Sequence, residues 1–477
     1  MYVNKFSVSI ILILAVKKMS YNFLNMNKEK EVPAIQKGDK KMIRGWIMYD
    51  WANSVYQLTI TTVIFPIYYH AVTGTGENSV VRFFGAEVTN TVLYSWTISA
   101  AFIILAIGSP FFSSIADYTG RRKAFMQVFT WIGAIGCGML FFFTGSNIEL
   151  GIIAFGLGTI GYGGSIVFYN SFLPVIADPR DQDAISARGY SMGYLGGVVL
   201  LIINLLMIMK YNWFGFSQDS GLPARISFLT VFLWWIGFSQ ITFLRLPKYT
   251  YKKRTSGANI YTNGYKELRM VFKQVRGSYH LKVYLAGFFF MMMGLISVMF
   301  MASLFGTKLL KLKDEVLIPT LLLIQLVGMG GAWLFARLSK WLGNLKALII
   351  SITGWIFICI GAYFITGAAG YIIAGFFIGI VMGGAQSLAR STYSKLLPPT
   401  TDHTSFFSFY DVLEKMATVL GMFSFGIIEE LTGNMRFSVL AIGLFFITGL
   451  VFMLLLFRKT GDQNMSNADI TFLSASH

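Results

Sequence analysis

Three ionisable residues, Asp411, Glu414 and Lys415, lie within five positions of one another in a hydrophobic stretch. At 100° per residue they share a helix face with Thr418, Met422 and Phe425, while Val412, Met416, Val419, Leu420 and Phe423 take the rest. An ionised side chain at the centre of a bilayer costs about 2.5–3.5 kcal/mol on insertion scales, so such a face turns away from lipid. It is expected to line a central cavity and to bind an ion or a charged solute there. Asp411 and Lys415, four residues apart, could also simply neutralise each other, which would leave Glu414 without a partner.

A second polar stripe consists of Asp50, Asn53, Ser54, Gln57 and Thr61. Polar groups facing lipid would go unsatisfied, so this face is also expected to turn inward, toward the same cavity. Asn170, Asn204, Gln386 and Arg390 are weaker candidates. Arg390 sits near the end of its apolar stretch, where its stem could snorkel to the interface. A third cluster, Asp117, Gly120, Arg121 and Arg122, follows a long apolar run. There Asp117 can accept hydrogen bonds from Arg121 or Arg122, or face the N-terminus of another helix, and so act as a gate. The positive-inside rule accounts for the bases of this cluster but not for its aspartate.

Two catalytic strings fail on context. Gly189-Tyr190-Ser191-Met192-Gly193 matches G-x-S-x-G, but that chemistry needs a strained strand-to-helix turn and triad partners. Gly156, Gly158 and Gly161 match a dinucleotide fingerprint with no strand before them. In both places glycines serve close helix packing. No G-x-x-x-x-G-K-[ST] string is present, which argues against ATP drive. Cys137 and Cys359 sit in apolar runs, and the four histidines are far apart, so no disulfide, metal site or cofactor is expected.

The elements that carry these residues follow from composition. The 477 residues are 55% hydrophobic and 13% charged, with a mean hydropathy of +0.61. A soluble domain has about 25% charged residues, so this chain needs lipid as a second apolar solvent. At about 20 apolar residues per span, the chain reads as twelve helices near 44–72, 89–115, 123–144, 149–176, 187–210, 224–246, 281–305, 317–340, 344–366, 369–390, 406–432 and 435–458. The expected organisation is an N-terminal extension 1–43, a six-helix half 44–246, a polar linker 247–280, a second half 281–458 and a tail 459–477. Phe6 to Val16 is too short to span, and Met19 or Met26 is a plausible physiological start.

The net charge of +17 could suggest nucleic acid, but its placement does not. With the N-terminus in the cytoplasm, 31 of the 39 Lys and Arg fall on the inside. Arg82, Lys210, Arg225, Lys308, Lys311, Lys313 and Arg436 fall outside, and Lys415 lies within a span. This is the positive-inside pattern of a multi-pass protein of the cell (inner) membrane with both termini cytoplasmic. The loops 113–125 and 336–348 align with Gly120 on Gly343 and Lys123 on Lys346, as parallel repeats flanking a midplane site would.

The segment Ser113 to Arg122 resembles the loop motif Gly-x-x-x-Asp-(Arg/Lys)-x-Gly-(Arg/Lys) of the major facilitator superfamily, with Ser113 and Tyr118 departing from it. The strings Tyr49–Ser54, Tyr169–Pro174, Gly193–Gly197, Gly383–Ser391 and Phe406–Tyr410 are together similar to the vacuole-effluxer family related to autophagy protein 22, across 44–458. This resemblance implies an all-α membrane protein with a major facilitator fold, twelve transmembrane helices in two six-helix halves. It also implies secondary active transport of a small polar solute by alternating access, with amino-acid efflux the family-implied substrate. A carboxylate of span eleven or Asp50 would carry a coupling proton, and Lys415 a substrate carboxylate. The expected partners are a small-molecule substrate, a proton and the lipid bilayer, with a monomer as the working unit and no nucleic acid. The alternatives are a non-transporting sensor and a membrane-embedded enzyme. The short tail and the sparse histidines argue against these two.

Overall fold

Apolar runs of twenty or more residues can bury their backbone in lipid only as helices, and helices are what they form. The computed structural model describes residues 35–74, 79–217, 221–248, 260–432 and 435–460. The start at Met19 or Met26, most of the N-terminal extension and most of the tail lie outside those residues.

The first span is α1 (Lys40–Val55), a π-helical stretch (Tyr56–Ile64) and α2 (Phe65–Thr73). After a hairpin come α3 (Asn90–Thr119), α4 (Arg122–Leu140), α5 (Ile148–Asn170), the short α6 (Leu173–Ile176), α7 (Gln182–Met209) and α8 (Leu222–Arg245). The second half is α10 (Tyr279–Leu304), α11 (Asp314–Leu342), α12 (Asn344–Tyr363), α13 (Ala368–Leu396), α14 (His403–Thr432) and α15 (Met435–Thr460). Between the halves the polar linker holds a further amphipathic helix, α9 (Ile260–Gly277), anchored by Val271 in the core of the second half.

Ten of these helices are long and apolar enough to cross a membrane. The first span falls short because the π stretch divides it. Span eleven, α14, carries Asp411, Glu414 and Lys415 within it. The π register has a local cause. Thr59, Ile60, Thr61, Thr62, Val63 and Ile64 are β-branched and crowd the preceding turn. Thr62 Oγ1 donates to the carbonyl of Gln57, five residues back, at 2.8 Å. On span one Asp50 and Asn53 are buried, Ser54 and Thr61 are half-buried, and Gln57 is exposed.

Spans one and two are joined by a small antiparallel hairpin, β1 (Val80–Phe83) and β2 (Ala86–Thr89), with Val80 opposite Thr89. Phe84 and Gly85, both at positive φ, make its turn. Neither this hairpin nor α9 was expected from the hydropathy pattern.

Buried side chains of spans seven to twelve form one cluster, which includes Trp355, Phe446 and Tyr393. Those of spans one to six form two, around Trp235, Phe65 and Phe155, and around Trp46, Tyr169 and Phe168. Within each half small residues let backbones touch. A Cβ on Gly161 would collide with the backbone of Gly133, and one on Gly383 with the carbonyl of Gly328. Between the halves α3 lies along α14, and α7 along α11. The cross-half polar contacts gather toward the end of the bundle with the loops 120–122, 177–181 and 397–402, here called the basic end.

Gly383→Ala should therefore lower the thermal stability of the detergent-solubilised protein by about 1–3 kcal/mol, the usual cost of overpacking. Gly237→Ala, where an added Cβ meets nothing within 4 Å, should leave the unfolding midpoint unchanged or raised.

Candidate functional site

Asp117 lies in the last turn of α3, and Gly120 ends that helix with φ of 66°, a left-handed conformation suited to glycine. The turn lets α4 begin at Arg122 and folds its side chain back. Arg122 Nε donates to Asp117 Oδ1 at 2.9 Å. The backbone N–H groups of Thr404 and Ser405 also donate to the same carboxylate, at 3.3 and 2.7 Å. These are orphan donors of the first turn of α14, in the other half, so Asp117 caps a helix across the interface. Arg122 in turn donates to the carbonyl of Thr401. Of the two bases considered for Asp117, Arg122 is the one that folds back on it. Arg121 is the residue before α4, and its backbone N–H bonds the carbonyl of Ala116.

A second clasp joins span five to spans eight to ten. Asp183, in the first turn of α7, accepts from Ser339 Oγ at 2.5 Å, Asn344 Nδ2 at 2.7 Å and Lys395 Nζ at 2.7 Å. Thr392 orients Asn344 through its Oδ1 at 2.5 Å. Sequence reasoning missed this site, although a signal was present. Aligning Gly120 with Gly343 places Lys340 where Asp117 stands, so the second repeat lacks the acid. Asp183 supplies it from across the interface.

The third contact corrects the reading of Arg390. The guanidinium does not snorkel to water; the residue is only 2% exposed. Its Nη1 and Nη2 each lie 3.3 Å from Asp50 Oδ2, its Nε donates to Ser186 Oγ at 2.9 Å and its Nη2 to the carbonyl of Ser186 at 2.9 Å. Asn170 Oδ1 is a weaker acceptor at 3.4 Å. A buried cation needs such a set to replace its water. Gln386, one turn earlier on α13, accepts from Tyr194 of span five at 2.5 Å, again across the interface.

Further along the same interface lies the charged group of span eleven. Lys415 Nζ pairs with Asp411 Oδ1 at 2.5 Å, and Asp411 Oδ2 lies 3.5 Å from Ser109 Oγ of span two. The stem of Lys415 lies over Gly163 of span four, whose missing side chain leaves it room. Glu414 is half-buried, and among the described residues no donor reaches its carboxylate. Thr418 Oγ1 bonds the backbone carbonyl of Glu414, and Met422 is half-buried. Phe425 lies outside the described side chains. Gln57 Oε1 accepts from Tyr162 at 2.7 Å. Asn204 stands apart, bonded to Thr230 of span six at 2.9 Å. No group of metal-ligating residues occurs among the described residues.

The clasps make a testable pair. Asp117→Asn and Asp183→Asn should each raise, at least tenfold, the labelling rate of a single cysteine placed between the halves at the basic end, since removing one partner of a buried charged set costs about 3–5 kcal/mol. Unchanged labelling in both variants would mean that these contacts do not hold that end shut.

Comparison with known proteins agrees with this architecture. Residues 38–466 match the family model described as vacuole effluxer Atg22 like. The MFS-type transporter YxiO of Bacillus subtilis strain 168 is 26% identical over 423 residues, covering 89% of this chain and 96% of that protein. Autophagy-related protein 22-2 of Aspergillus niger is 24% identical over 468 residues, covering 79% and 76%. Among solved structures, the transporter FucP in its outward conformation superposes with a TM-score of 0.65 at 12% identity, over 88% of this chain and all of that one. The proton:xylose symporter XylE does so with a TM-score of 0.68 at 12% identity, over 91% and 98%. These likenesses show the major facilitator fold, and the family match says which branch of it: the chain belongs to the Atg22-like vacuole-effluxer family of membrane transporters.

Proposed function

We propose that the protein is a secondary active transporter that moves a small polar solute, an amino acid in the first instance, by alternating access coupled to protons. The observation that carries this reading is the Asp411, Glu414 and Lys415 group on α14, wedged against spans two and four where the halves meet. Charges held there at several kcal/mol of insertion cost are functional by default. Lys415, with its ammonium on Asp411, would exchange that partner for a substrate carboxylate. Glu414, with no donor on its carboxylate among the described residues, would take and release the coupling proton. Asp117, Arg122 and Asp183 would hold the basic end closed in the state seen here and release it in the other.

In this reading the basic end faces the cytoplasm, as the distribution of Lys and Arg implies. The protein would sit in the cell membrane as a monomer, with both termini inside. The family model, described as vacuole effluxer Atg22 like, supports movement of solute across a membrane.

Counterflow and pH-jump flux in proteoliposomes test this reading. Lys415→Ala should insert and fold, and should lose at least about tenfold in flux, equivalent to about 1.4 kcal/mol of interaction. If the neutral pair Asp411→Asn with Lys415→Met carries solute as well as the wild type, the two charges are a structural pair and Lys415 does not bind substrate. Glu414→Gln should abolish the response of flux to a pH gradient while sparing exchange of bound solute. A response that survives in Glu414→Gln and also in Asp50→Asn removes both carboxylates as proton carriers.

A further inference from the structure

The guanidinium of Arg390 sits in a site that belongs wholly to the other half. Its acceptors, Asp50, Asn170 and Ser186, lie on spans one, four and five. Three aromatic rings surround it: Tyr190 at 4.3 Å, Trp46 at 4.7 Å and Tyr169 at 5.4 Å from the guanidinium carbon. All are close enough for cation–π attraction, the device by which aromatic cages recognise ammonium groups.

The site is also built without its guest. Trp46 stacks on Tyr169 with ring centroids 4.5 Å apart, and Trp46 Nε1 donates to the carbonyl of Tyr169 at 2.9 Å. Tyr169 OH donates to Asp50 Oδ2 at 2.6 Å. Gly189 leaves the space open, since a Cβ there would meet Asp50 Oδ2, and would lie 2.8 Å from Arg390 Nη2 and 3.2 Å from the Trp46 ring. The first Gly of the G-x-S-x-G string thus has a physical reason unrelated to hydrolysis.

Arg390 is delivered by α13, from the second half. Separation of the halves at this end withdraws it and leaves a carboxylate among three rings. A carboxylate walled by aromatic rings favours a compensating cation, so the opened state offers a place for one. The geometry points to a solute-binding site for a primary ammonium or guanidinium group, made of Asp50, Trp46, Tyr169 and Tyr190, in which Arg390 is the resident stand-in when the basic end is closed. Solute cation and Arg390 would occupy the site in turn, so the basic-end-open state would be populated mainly with a cationic group bound. This rests on the transport reading above and narrows its substrate class to solutes that bear a positive nitrogen.

Binding can be measured apart from flux. In purified full-length Arg390→Ala, methylguanidinium and n-butylamine at millimolar concentration should raise the unfolding midpoint by about 1–2 °C, the shift expected for a ligand near ten times its Kd. N-methylurea and sodium chloride should not, and Asp50→Asn with Arg390→Ala should respond to none of them. If Arg390→Ala does not fold, the wild type supplies the measurement. Agmatine and n-butylamine added at the basic side should inhibit counterflow, n-butanol and butyrate should not, and Asp50→Asn should weaken the inhibition at least tenfold. Cation-dependent stabilisation without flux of any solute would leave the site standing and remove the transport reading. No selective stabilisation in folded Arg390→Ala overturns the site, as does cation-insensitive counterflow in the wild type where that variant does not fold, and transport as such survives either result.

Discussion

A charge buried where water is absent must be answered by another charge or by donors aimed at it. In this protein that constraint is met across the interface between the halves. Asp50, Asp117 and Asp183 belong to the first six spans, and each accepts at least one hydrogen bond from the last six. Asp411 belongs to the second half and lies within reach of Ser109 in the first. Among these carboxylates, what satisfies the group also ties the halves together.

The interior of each half follows the opposite rule. There, glycines such as Gly161 and Gly383 bring helix backbones into contact, and stacked aromatics such as Trp355 with Phe446 fill what remains. Lipid is as apolar as leucine, so shape and close approach hold helices together within a half. Such contacts have one good arrangement and favour rigid bodies. Polar clasps differ, because the Coulomb gain of a buried ion pair is largely offset by desolvation. Their formation changes the free energy little while their geometry is specific. An interface of that kind is specific in geometry without being strongly held.

The three cross-half clasps are not equivalent. Asp117 meets a helix N-terminus, whose N–H donors are fixed in the backbone. Asp183 meets three side chains, from α11, α12 and α13. Asp50 meets a guanidinium enclosed by aromatic rings. The first two contacts are made by polar groups alone. The third pairs a carboxylate with a guanidinium inside aromatic walls, where cation–π attraction adds to the ion pair. Of the three, it is the one that resembles a ligand site more than a latch.

Much of this was legible in the residues themselves. Span ends were predicted closely, as for 344–366 against Asn344–Tyr363 and 435–458 against Met435–Thr460, since a bilayer makes hydropathy a direct record of helix length. The spacing of Asp411 and Lys415 told of a pair on one face, because a helix repeats every 3.6 residues wherever it lies. Local chemistry also singled out Asp117 and the turn at Gly120. The π register of span one lay in a run of β-branched residues, yet a bond from Thr62 to Gln57 was needed to reveal it. Partners were what the chain order could not supply. Arg390 lies 340 positions from Asp50, and Asp183 lies 156 from Ser339. Hydropathy places residues along the membrane normal, but the choice of which helix faces which depends on packing between distant segments, and only the folded arrangement decides it.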